Sequence, residues 1–167
     1  DFNNLNFKDF SIHSLLYCDL LAINYIFLFV KCCKSFYRKY NYSSVYQILH
    51  YVCGDILSSF YFEVLKDRLY VCKNGSIAQK SAQYTMYIIF VLLVHVISPI
   101  LSYTAEELWG YLYKTCDSNC YKFSIFMSVW PHNFLKKHYT QEQRLSFFEG
   151  WNFFYKLRCF IIGFLDY

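Results

Sequence analysis

Apolar residues recur at steps of three and four near the start of the chain: Leu15, Leu16, Leu20, Ile23, Phe27 and Val30 share one helical face. With Ser11 as its cap, that spacing predicts a first helix from about Ile12 to Tyr40. Asn41-Tyr-Ser-Ser is polar and reads as a turn. Ser44 followed by Gln47 fits a capping box, in which the serine oxygen accepts the third helical amide and the glutamine reaches back. Beyond it, Val45, Ile48, Leu49, Val52, Ile56 and Phe60 form a second apolar stripe that leads into the aromatic and charged stretch Ser59 to Tyr70. Gly54 lies within this helix at a cost of about 1 kcal/mol relative to alanine, where a neighbouring helix is expected to approach closely.

A polar turn, Lys73-Asn-Gly-Ser76, precedes a third helix from Ser76 to Ser98, roughly 33 Å long at the usual rise per residue. From Ser81 to Ala105 no residue is formally charged. A run of that length can span a bilayer, so a small helical membrane protein crossing with residues 81–105 is the alternative reading. The polar first turns (Gln79, Lys80, Ser81, Gln83), His95 deep in the run and an immediate helix restart favour the central helix of a bundle. His95 reads as a hydrogen-bonded core histidine. Pro99 stops the run, and Thr104-Ala-Glu-Glu107 fits a second capping box. The fourth helix, Ala105 to about Tyr113, turns Leu108, Trp109 and Leu112 inward. Residues 114–133 read as irregular, and a last helix is expected from about Gln141 to the end. The predicted fold is all-α, an antiparallel helical bundle.

The chain has 167 residues, 56% hydrophobic and 23% aromatic, with five glycines and two prolines. That is enough for one well-buried core built from long helices. The abundance of Phe, Tyr, Asn, Lys and Ile is what an A+T-rich genome encodes, so the hydrophobicity partly reflects codon usage. Eight cysteines contain no Cys-x-x-Cys pair, which argues against a zinc or redox site and for buried, reduced thiols. Neither catalysis nor phosphate binding by a glycine-rich loop is indicated: the five histidines are scattered, at 13, 50, 95, 132 and 138. The residues describe a binding module.

The net charge of +4 is mild, so its distribution matters more than its total. Lys66, Arg68, Tyr70 and Lys73 interleave cations with an aromatic, the pattern that neutralises phosphates and stacks on unpaired bases. Arg68 has a competing structural role, an internal pair with Asp67 that fixes the turn while Lys66 and Lys73 meet RNA. Lys31, Lys34 and Arg38 share a face near the end of the first helix, where cations also suit the helix dipole.

Phe60-Tyr-Phe-Glu-Val-Leu-Lys-Asp-Arg-Leu-Tyr70, the Ser-rich start of the third helix and Pro99-Ile-Leu-Ser-Tyr-Thr-Ala-Glu-Glu-Leu-Trp109 together resemble the anticodon-binding domain of class I isoleucyl-tRNA synthetases, bacterial or organellar type. The resemblance covers nearly the whole chain. It is weakest in the first helix, where the family's Asp-Arg-Trp is replaced by Leu16-Tyr17-Cys18 or residues nearby. It implies residues 1–10 as a linker or the end of an upstream domain, 11–115 as the anticodon-binding bundle, 116–140 as a variable connection and 141–167 as a truncated last helix. The implied role is the tRNA-binding part of an enzyme that joins isoleucine to its tRNA, inactive alone. ATP and magnesium would serve a catalytic domain of the same polypeptide, since the family's His-x-Gly-His and Lys-Met-Ser-Lys-Ser motifs are missing here. The implied partner is the anticodon stem-loop of an isoleucine tRNA, with no membrane and a monomeric protein. The implied compartment is a plastid or mitochondrion, or a bacterial cytoplasm.

Overall fold

In the computed structural model, which describes residues 15–113, 124–130 and 150, Leu16 is extended (ψ 148°) and the first helix, α1, runs from Tyr17 to Arg38. It thus begins later than the expected Ile12; Ser11 lies outside the described residues. The Leu16 amide donates to Ser81 Oγ, in a later helix, at 3.1 Å, and the Ser81 hydroxyl donates to Asp19 in the first turn of α1. A serine distant in sequence therefore relays what a local capping box would do, which apolar spacing cannot show.

At its other end α1 closes in a Schellman motif. The amides of Asn41 and Tyr40 donate to the carbonyls of Phe36 and Tyr37, each at 3.0 Å, with Tyr40 in the left-handed region (φ 55°). Asn41 then caps α2, Tyr42–Tyr51, its side chain accepting the Ser44 amide at 3.1 Å. The expected Ser44–Gln47 box is replaced by this cap, because the chain has already turned before Ser44.

Without a break α2 passes into a π-helical segment, Val52–Tyr61, and then α3, Phe62–Tyr70. The wider turn shows in the Phe62 amide, which donates to the Leu57 carbonyl, and in the burial of Val52, Ile56, Leu57 and Tyr61. The Ser59 hydroxyl donates to the Asp55 carbonyl, a side-chain bond of the kind that distorts helices. An apolar stripe read at the α period carries no signal for this change of winding. Gly54 is exposed and a Cβ there would meet nothing within 4 Å. The close helix approach expected at Gly54 is absent, since Val52, Ile56 and Leu57 face the interior instead.

α4, Ile77–Ile97, has nearly the expected bounds: Ser76 caps it by accepting the Gln79 amide at 3.2 Å, and Gln79 Oε1 accepts the Gly75 amide at 2.8 Å. α5 runs from Ser102 to Tyr113. Its first bonds already form at Ala105, whose amide donates to Leu101. Thr104 is thus inside the helix, and the expected Thr104–Glu107 box is not its start. A 3₁₀ turn, Ile125–Met127, ordered by Ser124, occupies part of the stretch read as irregular. The expected last helix and the boundaries at 116–140 and 141–167 lie outside the described residues, except for Gly150.

Among the described residues every regular element is helical. Consecutive long helices run antiparallel, which leaves α1 and α4 side by side and parallel. Leu16 meets Ser81 at one end, and Tyr37 Oη donates to the Val96 carbonyl at 2.6 Å at the other. α4 packs against α1, α3 and α5, the central position its apolar run suggested. A second apolar group, Val94, Ala105, Trp109 and Ile125, joins α4 to α5 and the 3₁₀ turn, with Leu108 and Leu112 half-buried against it. His95 is a core histidine: Nδ1 lies 2.7 Å from the Val91 carbonyl and Nε2 2.8 Å from Ser128 Oγ. A carbonyl can only accept, so Nδ1 carries a proton. Tyr17–Arg38, Tyr42–Tyr70 and Ile77–Ile97 are each long and apolar enough to cross a membrane; their buried side chains form the bundle's shared core.

Candidate nucleic-acid interface

Asp19 is fully buried in the first turn of α1. It accepts Tyr61 Oη at 2.8 Å, Arg68 Nη1 on Oδ2 at 2.8 Å and Arg68 Nη2 on Oδ1 at 2.7 Å, together with the Ser81 hydroxyl. One carboxylate thus ties α1 to the π segment, α3 and α4. A buried carboxylate is tolerated only with such partners. The internal partner of Arg68 is therefore Asp19 and not the expected Asp67. Arg68 follows the buried Leu65 by three residues and so shares its inward face, while Asp67 is exposed. Burial pulls the Arg68 guanidinium down, but the hydrogen bonds it donates to Asp19 and the Asp19 charge outweigh that and hold it above its ordinary range. Burial first, then the Asp19 charge, pushes the Tyr61 phenol well above its usual value.

Around this end of the bundle, Lys66 is exposed and bonded to Glu63 at 2.7 Å, a surface pair worth under about 1 kcal/mol. Tyr70 closes α3 and is 84% exposed. Lys73 is exposed in the following turn, and Lys80 in the first turn of α4. The cations Lys66, Arg68, Lys73 and Lys80 thus stand with the carboxylates Asp19, Glu63 and Asp67, so the local charge largely cancels.

The other candidates lie elsewhere. Lys31 and Arg38 are exposed on the last turns of α1, with Lys34 half-buried. From Asp19, beside Arg68, to Lys34 is about 22 Å of helix, so the structure does not gather the two groups. Lys39 and a set of exposed tyrosines join Lys31, Lys34 and Arg38 at the α1–α2 corner: Tyr40 at 79%, Tyr46 at 62% and Tyr42 at 48%. Tyr46 lies 6.2 Å from the ring of His50, and Tyr42 lies 5.9 Å from Tyr37. These tyrosines were missed from sequence. One signal was available, since no Asp or Glu occurs between Asp19 and Asp55.

Among the described residues no three His, Cys, Asp or Glu side chains are grouped as metal ligands. Cys18, Cys32, Cys33, Cys53 and Cys72 are free thiols. Burial raises Cys33 to about 12 and also raises Cys18 and Cys53, which keeps them protonated and unreactive. Cys32 departs from the expected burial: it lies on the solvent side of α1, next to Lys31.

Residues 19–151 match the family model described as the anticodon-binding domain of tRNA ligase. The match opens at Asp19, in the first turn of α1. The isoleucine–tRNA ligase of Caldicellulosiruptor saccharolyticus is 36% identical over 129 residues, 75% of this chain and 14% of that protein. Those of Methylococcus capsulatus and Syntrophotalea carbinolica are 40% identical over 94 residues and 46% identical over 76, covering 56% and 46% of this chain and 10% and 8% of those proteins. The chain therefore spans a small part of the length of the curated relatives it matches.

Proposed function

The chain belongs to the anticodon-binding domain family of tRNA ligases, and from that premise we propose that it holds the anticodon stem-loop of an isoleucine tRNA within an isoleucine–tRNA ligase. The observation that carries the proposal is the run of isoleucine–tRNA ligases among the relatives. The complete protein would join isoleucine to that tRNA using ATP and magnesium. The residues present do not fit those groups, for the sequence has no phosphate loop and the described residues no carboxylate cluster. They would belong to a nucleotide-binding part elsewhere in the polypeptide. Translation in a bacterial cytoplasm, plastid or mitochondrion is the proposed setting, without a membrane partner.

Within this role Lys66 and Lys73 contact phosphate, Tyr70 offers an exposed ring, and Lys31, Lys34 and Arg38 extend the basic surface. Arg68 positions α3 through Asp19. The test is binding of an RNA hairpin with the isoleucine anticodon stem and loop to the full-length protein, against a hairpin of equal length with another anticodon. Preference for the first is expected, weakening as salt rises. Equal binding of both, or of neither, overturns the proposal.

A further inference from the structure

The two basic groups stand toward opposite ends of α1, whose 22 residues rise about 33 Å, so the unpaired loop of a hairpin meets one group, and only phosphates of its stem reach the other. We infer that the α1–α2 corner takes the unpaired bases and neighbouring phosphates of the RNA, with Tyr40 as a stacking platform; this rests on the reading of the chain as an anticodon-binding domain.

Charge is the first argument. Lys31, Lys34, Arg38 and Lys39 lie in a stretch with no acid from residue 20 to residue 54, and among the described residues no ion pair engages them. At the other end Arg68 is consumed by Asp19 and Lys66 by Glu63. Phosphates are attracted most where cations are uncompensated. Exposed aromatic surface is the second argument: Tyr40 and Tyr46 present faces on which any unpaired base can stack.

Backbone conformation supplies the third. Among the described residues Tyr40 is the one non-glycine with positive φ (55°). Its position after α1 is where glycine ordinarily closes a Schellman motif. A bulky residue held in a left-handed conformation is an outlier of the kind that gathers at functional sites. Tyr40 accepts that cost while leaving its ring in solvent, so packing does not account for its presence.

The experiment measures affinity of the full-length protein for the isoleucine anticodon hairpin across a salt series, beside thermal melting and a fully paired RNA duplex as control. Tyr40→Gly is expected to melt no lower than the parent yet bind the hairpin roughly five- to a hundredfold more weakly, with an unchanged salt slope and unchanged duplex binding. Tyr40→Phe should bind as the parent does. Tyr46→Ala, on an exposed helix face, should weaken hairpin binding as a second aromatic readout. Lys31→Ala with Arg38→Ala should lower the slope by about 1.5 in all. Hairpin affinity unchanged in Tyr40→Gly and Tyr46→Ala overturns the stacking role, and an unchanged slope in the lysine–arginine variant overturns the phosphate contacts. Either result leaves the anticodon-domain reading standing if the parent protein still prefers its hairpin; failure of the parent to do so removes that reading itself.

Discussion

Arg68 meets Asp19 with both terminal nitrogens on both carboxylate oxygens, at 2.8 and 2.7 Å. The carboxylate is wholly buried and the arginine side chain 14% exposed. Water screens such a pair little, so loss of either partner leaves a charge stranded in the interior.

Arg68→Ala should therefore cost about 3–5 kcal/mol of folding stability. Arg68→Lys should recover only part of it, because an ammonium cannot span both oxygens. Denaturant titration of the three proteins measures this. An Arg68→Ala protein of parental stability whose RNA affinity has lost salt dependence would instead make Arg68 a phosphate contact.

Asn41→Ala should destabilise the protein by about 1 kcal/mol, the usual loss for a side-chain cap. Ser44→Ala should change stability by less than half of that, since only its backbone amide is used. Equal losses at the two positions would show that Ser44 also caps α2.

Glycine replacements should separate by backbone conformation. Gly54→Ala, in helix and with open space at its Cβ, should stabilise by about 0.5–1 kcal/mol. Gly75→Ala, at φ 79°, should destabilise by about 1 kcal/mol. Melting temperatures that move the same way for both would contradict the assignment.

Alkaline pH should weaken the fold. Burial raises Tyr25 to about 12 and lifts Tyr37, Tyr61 and Tyr84, as it raises Cys33 to about 12 with Cys18 and Cys53. Unfolded thiols and phenols release protons near their ordinary values, about 8.5 and 10. Between those values and the raised ones the folded chain binds more protons, so stability is full below about pH 8.5 and falls as pH rises. Denaturation midpoints at pH 7.5 and 10.5, read with phenolate absorbance, should show the decline. Equal midpoints would mean these groups titrate freely in the folded protein.

The spacing of apolar and polar residues determined by itself that this chain is all-α, with a long helix over Ser76 to Ser98 and His95 inside its apolar run. That the helix is the centre of a bundle and not a membrane span is seen in its packing against α1, α3 and α5. Helical burial repeats every three or four residues and is written locally, whereas the capping boxes expected at Ser44 and Thr104 gave way to a cap at Asn41 and an earlier start of α5. The residues Phe60–Tyr70 and Pro99–Trp109 also carried the family. Tertiary structure alone decided what Asp19 does. Its partners Tyr61, Arg68 and Ser81 come from three other elements, and the three-residue step from Leu65 that turns Arg68 inward does not say which acid it meets. The same holds for the start of α1, set by Ser81, and for the π winding. Which basic residues stand together was likewise settled only when the helices turned Lys66 and Lys73 to one end of the bundle and Lys31, Arg38 and Tyr40 to the other.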